Sequence, residues 1–182
     1  TIPRIGSLGP GEEYRRSLPV TLPQGIAGGF LLLVVADSTN GVDATPLNNR
    51  RATPINISLT PPPDLEVISA ALLDLPVAGQ PMRLAYTLRN NGPGRAESAA
   101  WSALVSLTAD SLPGPSDRFL TAKSKSLLMD PGATYTDTAR FEIPSYAFGP
   151  QYFLVVADYR EGLYEGSEGN NCRAVPAQVI LQ

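Results

Sequence analysis

The chain has 182 residues, of which 43% are hydrophobic, with a net charge of −3 and no histidine. That hydrophobic content is ample for a packed core, and the acidic balance lacks the basic stripe expected of a nucleic-acid binder. The missing histidine removes the usual general base, most zinc sites and the Ser-His-Asp arrangement, and no run of about 18 apolar residues suggests a membrane span.

Eighteen prolines and sixteen glycines punctuate short apolar runs, which predicts strands joined by turns and no helix. In chain order the first strands are Glu13–Leu22, Phe30–Asp37 and Arg51–Leu59, with Ile2 and Ile5 as the remnant of another. Pro61-Pro62-Pro63 is a short, stiff joint, because three fixed φ angles favour an extended chain. Leu65–Leu72 is the next strand. Met82–Arg89 alternates, with Leu84, Tyr86 and Leu88 on one face and Arg83, Thr87 and Arg89 on the other. Asn90–Gly94 is a turn rich in residues that accept positive φ. Trp101–Leu107 follows, with Trp101 expected as a core anchor, then a short strand near Phe119-Leu120.

Thr134–Ile143 places Tyr135, Ala139, Phe141 and Ile143 on one face. Gln151–Ala157 is almost continuously apolar, as a central strand should be. The last strand, about Arg173–Leu181, contains Pro176, which is tolerated at an edge or a bulge. Seven strands in residues 64–182 predict an all-β, Ig-like or fibronectin-III-like sandwich.

The beginning of the chain repeats its end. Pro10-Gly11 and Tyr14 return as Pro131-Gly132 and Tyr135, and Leu33–Asp37 returns as Leu154–Asp158. After one added residue, Asn48-Asn49-x-Arg51-Ala52-x-Pro54 matches Asn170-Asn171-x-Arg173-Ala174-x-Pro176. Residues 1–60 therefore read as the second half of a repeat, 61–63 as a joint, and 64–182 as a complete unit. On this reading the half unit is a piece of a tandem array or is completed by a neighbour. Tyr14 and Tyr135, Asp37 and Asp158, and Asn49 and Asn171 are shared, and are expected to be structural.

The combined order of Pro-Asp-Leu (63–65), Ala-Gly-Gln-Pro (78–81), Tyr-Thr-Leu-x-Asn-x-Gly (86–92), Trp101, Leu-Thr-Ala-Asp (107–110), Leu-x-x-Pro-Gly (128–132) and the Val-Ala-Asp and Glu-Gly-Ser-Glu-Gly-Asn-Asn segments within 155–171 resembles the CARDB domain, a cell-adhesion-related domain of bacteria and archaea. The resemblance covers residues 63–181 as a full unit and 8–59 as its second half. It implies an Ig-like sandwich, extracellular or cell-surface placement, frequent tandem copies and no catalytic residues. The expected function is a non-catalytic stalk, spacer or filament building block, assembled by strand complementation between subunits. The alternative is an accessory binding region of a larger secreted hydrolase. Expected partners are neighbouring copies of the chain or adjacent repeats, or a surface glycan or protein.

Candidate sites follow from residue chemistry. Asp158, Glu161, Glu165 and Glu168, with Asn170 and Asn171, gather hard oxygen ligands in one loop, a pattern that suits calcium. The competing reading is a solvated loop whose Asp and Asn pin the turn. The first copy keeps Asp37, Asn48 and Asn49 but has Ala44–Leu47 in place of the glutamates. Asp110 and Asp117 form a second candidate oxygen site. Tyr146, Phe148, Tyr159 and Tyr164 are candidates for a binding patch. Lys123 and Lys125 are poor candidates for a covalent cross-link, and the lone Cys172 has no internal disulfide partner.

Overall fold

The computed structural model describes residues 6–23, 25–37, 48–97, 101–125 and 128–181, with the side chains of Trp101 and Lys125 outside that description. The chain divides into two compact units, Thr1–Ser58 and Leu59–Gln182.

The second unit is a sandwich of two antiparallel sheets. One sheet holds β3 (Leu65–Leu72), β4 (Pro81–Asn90) and β7 (Thr134–Glu142) in the order β3-β4-β7. The other holds β5 (Trp101–Thr108), β6 (Arg118–Lys125), β8 (Gly149–Val156) and β9 (Cys172–Val179) in the order β6-β5-β8-β9. These are the seven strands expected, and the described residues contain no α-helix. Period-two patterning decides what faces inward: Met82, Leu84, Tyr86 and Leu88 of β4 are all buried. Phe153 and Val155 of β8 meet them from the other sheet, and Phe141 lies against Phe153 with ring centroids 5.8 Å apart. Pro176 sits in β9, an edge strand, where its missing N–H costs no ladder bond to a further neighbour. The part Trp101 plays in the core lies outside the described residues.

The two sheets are also tied together at a polar point. Lys123 of β6 donates to both carboxylate oxygens of Asp137 on β7, at 2.8 and 2.9 Å, and Tyr135 Oη adds a third bond at 2.8 Å. Burial pushes the Asp137 carboxyl up, but these donors outweigh it and hold the pKa at about 2.

One pole is organised by Asn90, which is completely buried at the end of β4. Its Oδ1 accepts from the Asp64 and Gly92 amides, and its Nδ2 donates to the Gly94 and Met129 carbonyls. The polyproline segment is fastened beneath it: Gly94 N–H donates to Pro62 O at 3.1 Å and Gly166 N–H to Pro63 O at 2.9 Å. A Cβ on Gly94 would fall inside the Pro61 carbonyl, so the close approach demands glycine there. Pro61–Pro63 is thus part of the second unit rather than a free spacer.

Among its described residues the first unit shows one strand pair, β1 (Gly28–Val35) antiparallel to β2 (Arg50–Ile57). Its register runs from Gly28↔Ile57 to Val35↔Arg50, and that of β8–β9 runs from Gly149↔Val179 to Val156↔Cys172. The two ladders match residue for residue along the repeat. Their surroundings differ: Leu32 and Val34 are 42% and 62% exposed, whereas their counterparts Phe153 and Val155 are fully buried.

Glu13–Leu22, expected to be a strand, has no regular structure. Its counterpart β7 is held by hydrogen bonds to β4, and among the described residues of the first unit no strand pairs with Glu13–Leu22. Ile2 and Ile5 lie outside the described residues. Tyr14 is half exposed and accepts a bond from Arg16, whereas Tyr135 is bonded to Asp137.

Asn90→Ala removes four hydrogen bonds at the buried pole and leaves the Asp64 and Gly92 amides and the Gly94 carbonyl without the partner it gave them, while the Met129 carbonyl keeps its bond from the Ala96 amide. The expected loss is about 2–4 kcal/mol of stability in the second unit, read as a lower urea midpoint with unchanged slope. A loss below about 0.5 kcal/mol would contradict the role given to Asn90.

Candidate functional site

The densest polar chemistry lies in the loop joining β8 to β9. Its neck is closed by the Ala157 amide, which donates to the Asn171 carbonyl at 2.7 Å. Asp158 turns the chain with φ near +42°, a conformation that Asp tolerates better than most residues. The first copy makes the same neck: Ala36 N–H donates to Asn49 O at 2.8 Å and Asp37 has φ near +43°.

Asp158 is buried, and its Oδ2 accepts from the Leu163 amide at 2.7 Å. Glu165 is buried as well. One of its oxygens accepts from the Leu65 amide of β3 at 2.6 Å, and the other from Asn171 Nδ2 at 2.6 Å. The same Asn171 nitrogen donates to Glu168 Oε2 at 2.8 Å, and Asn170 Nδ2 donates to Asp64 Oδ1 at 3.0 Å. The loop therefore clamps the first residues of β3. Burial pushes Glu165 up to about 7, against the Asn171 and Leu65 bonds and with help from Glu168 and Asp158. Burial also raises Asp158 and Glu168, and nearby carboxylates add to both shifts.

Of the four proposed calcium ligands, Glu165 and Glu168 meet on the Asn171 amide and Asp158 acts on both electrostatically, while Glu161 is exposed. Among the described residues, no three Asp, Glu, Cys or His side chains by themselves form a group that would hold a metal. Asp110 and Asp117 do not converge on a site. Each caps its own turn, Asp110 accepting from the Leu112 amide and Asp117 from the Gly114 amide, both at 3.0 Å.

The four aromatic residues do not form one patch. Phe148 immediately precedes β8 and Tyr159 follows it, so the length of that strand, roughly 26 Å, separates the two pairs. Tyr146 and Phe148 are 64% and 63% exposed at one pole, and Tyr164 is partly exposed in the acidic loop. Cys172 is a half-buried free thiol whose pKa is raised by burial. A cavity of about 160 Å³ opens between β6 and β7, lined by Tyr86, Val105, Thr121, Lys123, Thr138 and Arg140. It is smaller than the usual 300–1,000 Å³ of a ligand pocket.

The clamp of Glu165 on Leu65 was not visible in the sequence. Its signal would have been the proximity of residues 100 positions apart, which no local pattern carries. The sequence pattern marks Asn90 as a turn residue, and the fold shows that it also bonds four backbone groups.

The CARDB family model matches residues 62–175, more than half of the chain. The chain belongs to the CARDB family. Among solved structures, the CARDB domain of a Pyrococcus furiosus protein, determined in complex with di-metal ions, is 14% identical. It aligns over 69% of this chain and 100% of that one with a TM-score of 0.50, which supports the fold. A domain assigned to a cell-surface protein of Methanosarcina acetivorans aligns over 65% and 92% at 17% identity, with a TM-score of 0.47. No curated protein sequence matches the chain.

Because Glu165 has a folded pKa of about 7 against 4.5 for a free side chain, the folded state favours its protonated form. Its stabilising contribution is complete below pH 4.5 and is lost as pH rises through 7. The expected cost of ionisation is up to about 3 kcal/mol by linkage. In chelator-treated buffer, Glu165→Gln should remove much of the wild-type fall in melting temperature between about pH 5 and pH 8. An unchanged pH profile in the variant would contradict this assignment.

Proposed function

We propose that this CARDB chain is a non-catalytic building element of an extracellular surface protein, working as a stalk, spacer or filament unit. On this reading, Thr1–Ser58 is the second half of a CARDB repeat, and a neighbouring copy or an adjacent repeat completes it by filling the places that β3–β6 hold in the complete unit. The observation that carries the proposal is the shared ladder. β1–β2 repeats the β8–β9 register but leaves Leu32 and Val34 open where Phe153 and Val155 are covered.

The complete unit specifies what the missing half must supply. There, β5 pairs with β8 from Leu104↔Val156 to Thr108↔Tyr152, so the donor strand would run antiparallel along Leu31–Val35. Covering each large apolar side chain of β1 is worth about 1.5–3 kcal/mol, and pairing the β1 edge removes a template for nonspecific aggregation. A head-to-tail contact of this kind propagates unless it closes on itself. The absence of histidine from the whole chain supports a mechanical rather than a catalytic role.

Light scattering on the 19.3 kDa chain should show a mass that rises with concentration. Val34→Lys, placing a charge on the face to be covered, should shift the chain toward monomer and leave the melting of the second unit unchanged. A monomer at every concentration would contradict completion by neighbouring copies.

A further inference from the structure

We infer that Arg16 selects the partner of the half unit: a CARDB-type half whose strand in the place of β6 carries a carboxylate where β6 has Lys123. The inference rests on the completion of the half unit by strands in the places of β3–β6, as proposed above.

The complete unit shows the contact to be rebuilt. β6 and β7 are the outermost strands of different sheets, and Lys123 reaches from one to the other. Its ammonium donates to both oxygens of Asp137, whose side chain is 15% exposed. Tyr135 Oη donates to the same carboxylate. Period two orders this strand: Tyr135, Asp137, Ala139 and Phe141 are covered at least in part, while Thr134, Thr136, Arg140 and Glu142 are exposed. Asp137 is therefore a charged residue on the inward phase, and Lys123 is the charge that meets it.

The half unit keeps this pattern with one sign reversed. At the offset that pairs Tyr14 with Tyr135, Leu18 stands for Ala139, Val20 for Phe141 and Leu22 for Ile143. Arg16 stands for Asp137. The contact with the tyrosine survives with its polarity inverted. Arg16 Nη1 donates to Tyr14 Oη at 3.1 Å, whereas Tyr135 Oη donates to Asp137. Arg16 is exposed in the half unit by itself. Once Glu13–Leu22 pairs as β7 does, period two carries Arg16 to the edge that Lys123 bridges in the complete unit.

Charge decides which strand fits there. A covered guanidinium without a counter-charge is costly, and a second cation beside it adds repulsion. The β6 strand of a copy of this chain brings Lys123, so self-completion sets ammonium against guanidinium. An aspartate or glutamate at that place restores the bond between the sheets. The planar guanidinium suits it, because two parallel N–H groups can hold one carboxylate. A copy of the chain is thus the weaker completing partner, and an acidic half the stronger.

The test titrates the full chain with a labelled fragment of residues 64–125, which carries β3–β6, in its natural form and as Lys123→Glu. Fluorescence anisotropy of the label reads the affinity. The wild-type chain should bind the Lys123→Glu fragment about tenfold more tightly, although the chain itself is net negative. In Arg16→Asp, which recreates the pairing of Asp137 with Lys123, the preference should invert. Arg15→Asp makes the same change of net charge at the place of the exposed Thr136, and should keep the wild-type preference. Equal affinities, or a preference that does not invert in Arg16→Asp, would overturn the inference while leaving completion intact. Binding of neither fragment to any of the three chains would contradict completion itself, and the inference with it.

Discussion

A two-stranded ladder satisfies the hydrogen bonds between its strands but covers neither its apolar face nor its outer edges. Much of what is distinctive in this chain follows from that constraint. In the second unit, β8–β9 is paired on one side by β5, and β3, β4 and β7 close over Phe153 and Val155. In the first unit the same ladder has neither cover, and all eight residues of β1 are exposed. The absence of a strand at Glu13–Leu22 has the same origin, because an extended segment becomes a strand only when another backbone accepts its hydrogen bonds.

A second level of organisation is polar and lies at the pole where the chain enters the second unit. Asn90, Glu165 and Asn170 each reach the short stretch around Asp64 and Leu65. Gly94 and Gly166 donate to the proline carbonyls immediately before it. The entering chain is therefore held by prolines that limit its torsions and by backbone bonds that fix its position.

The sequence was most informative where side chains repeat at a regular period. The alternation in β4, the apolar run of β8 and the seven-strand count all follow from local patterns, whereas Pro176 left an edge or a bulge open for β9 and the fold makes it an edge. The repeat in sequence is matched by the registers of the two hairpins. Local pattern failed where an outcome depended on a distant partner. Glu13–Leu22 has strand-like alternation, but no sequence window reports that its pairing strand is missing. Tyr146 and Phe148 looked close to Tyr159 and Tyr164 because they are near in sequence, yet an extended strand carries the chain roughly 26 Å between them. The acidic loop was recognised from composition, whereas its attachment to Leu65 through Glu165 required the fold.

The central claim is that β1–β2 is a CARDB ladder awaiting cover, and amide hydrogen exchange addresses it most directly. In the full chain at high dilution, β8 amides should exchange only on opening of the whole second unit. The outer-edge amides of β1 should exchange orders of magnitude faster. Raising the concentration should slow exchange in Leu31–Val35 selectively, as neighbouring strands pair with that edge. Equal, concentration-independent protection of β1 and β8 would contradict the account, because the hairpin would then be complete within a single chain.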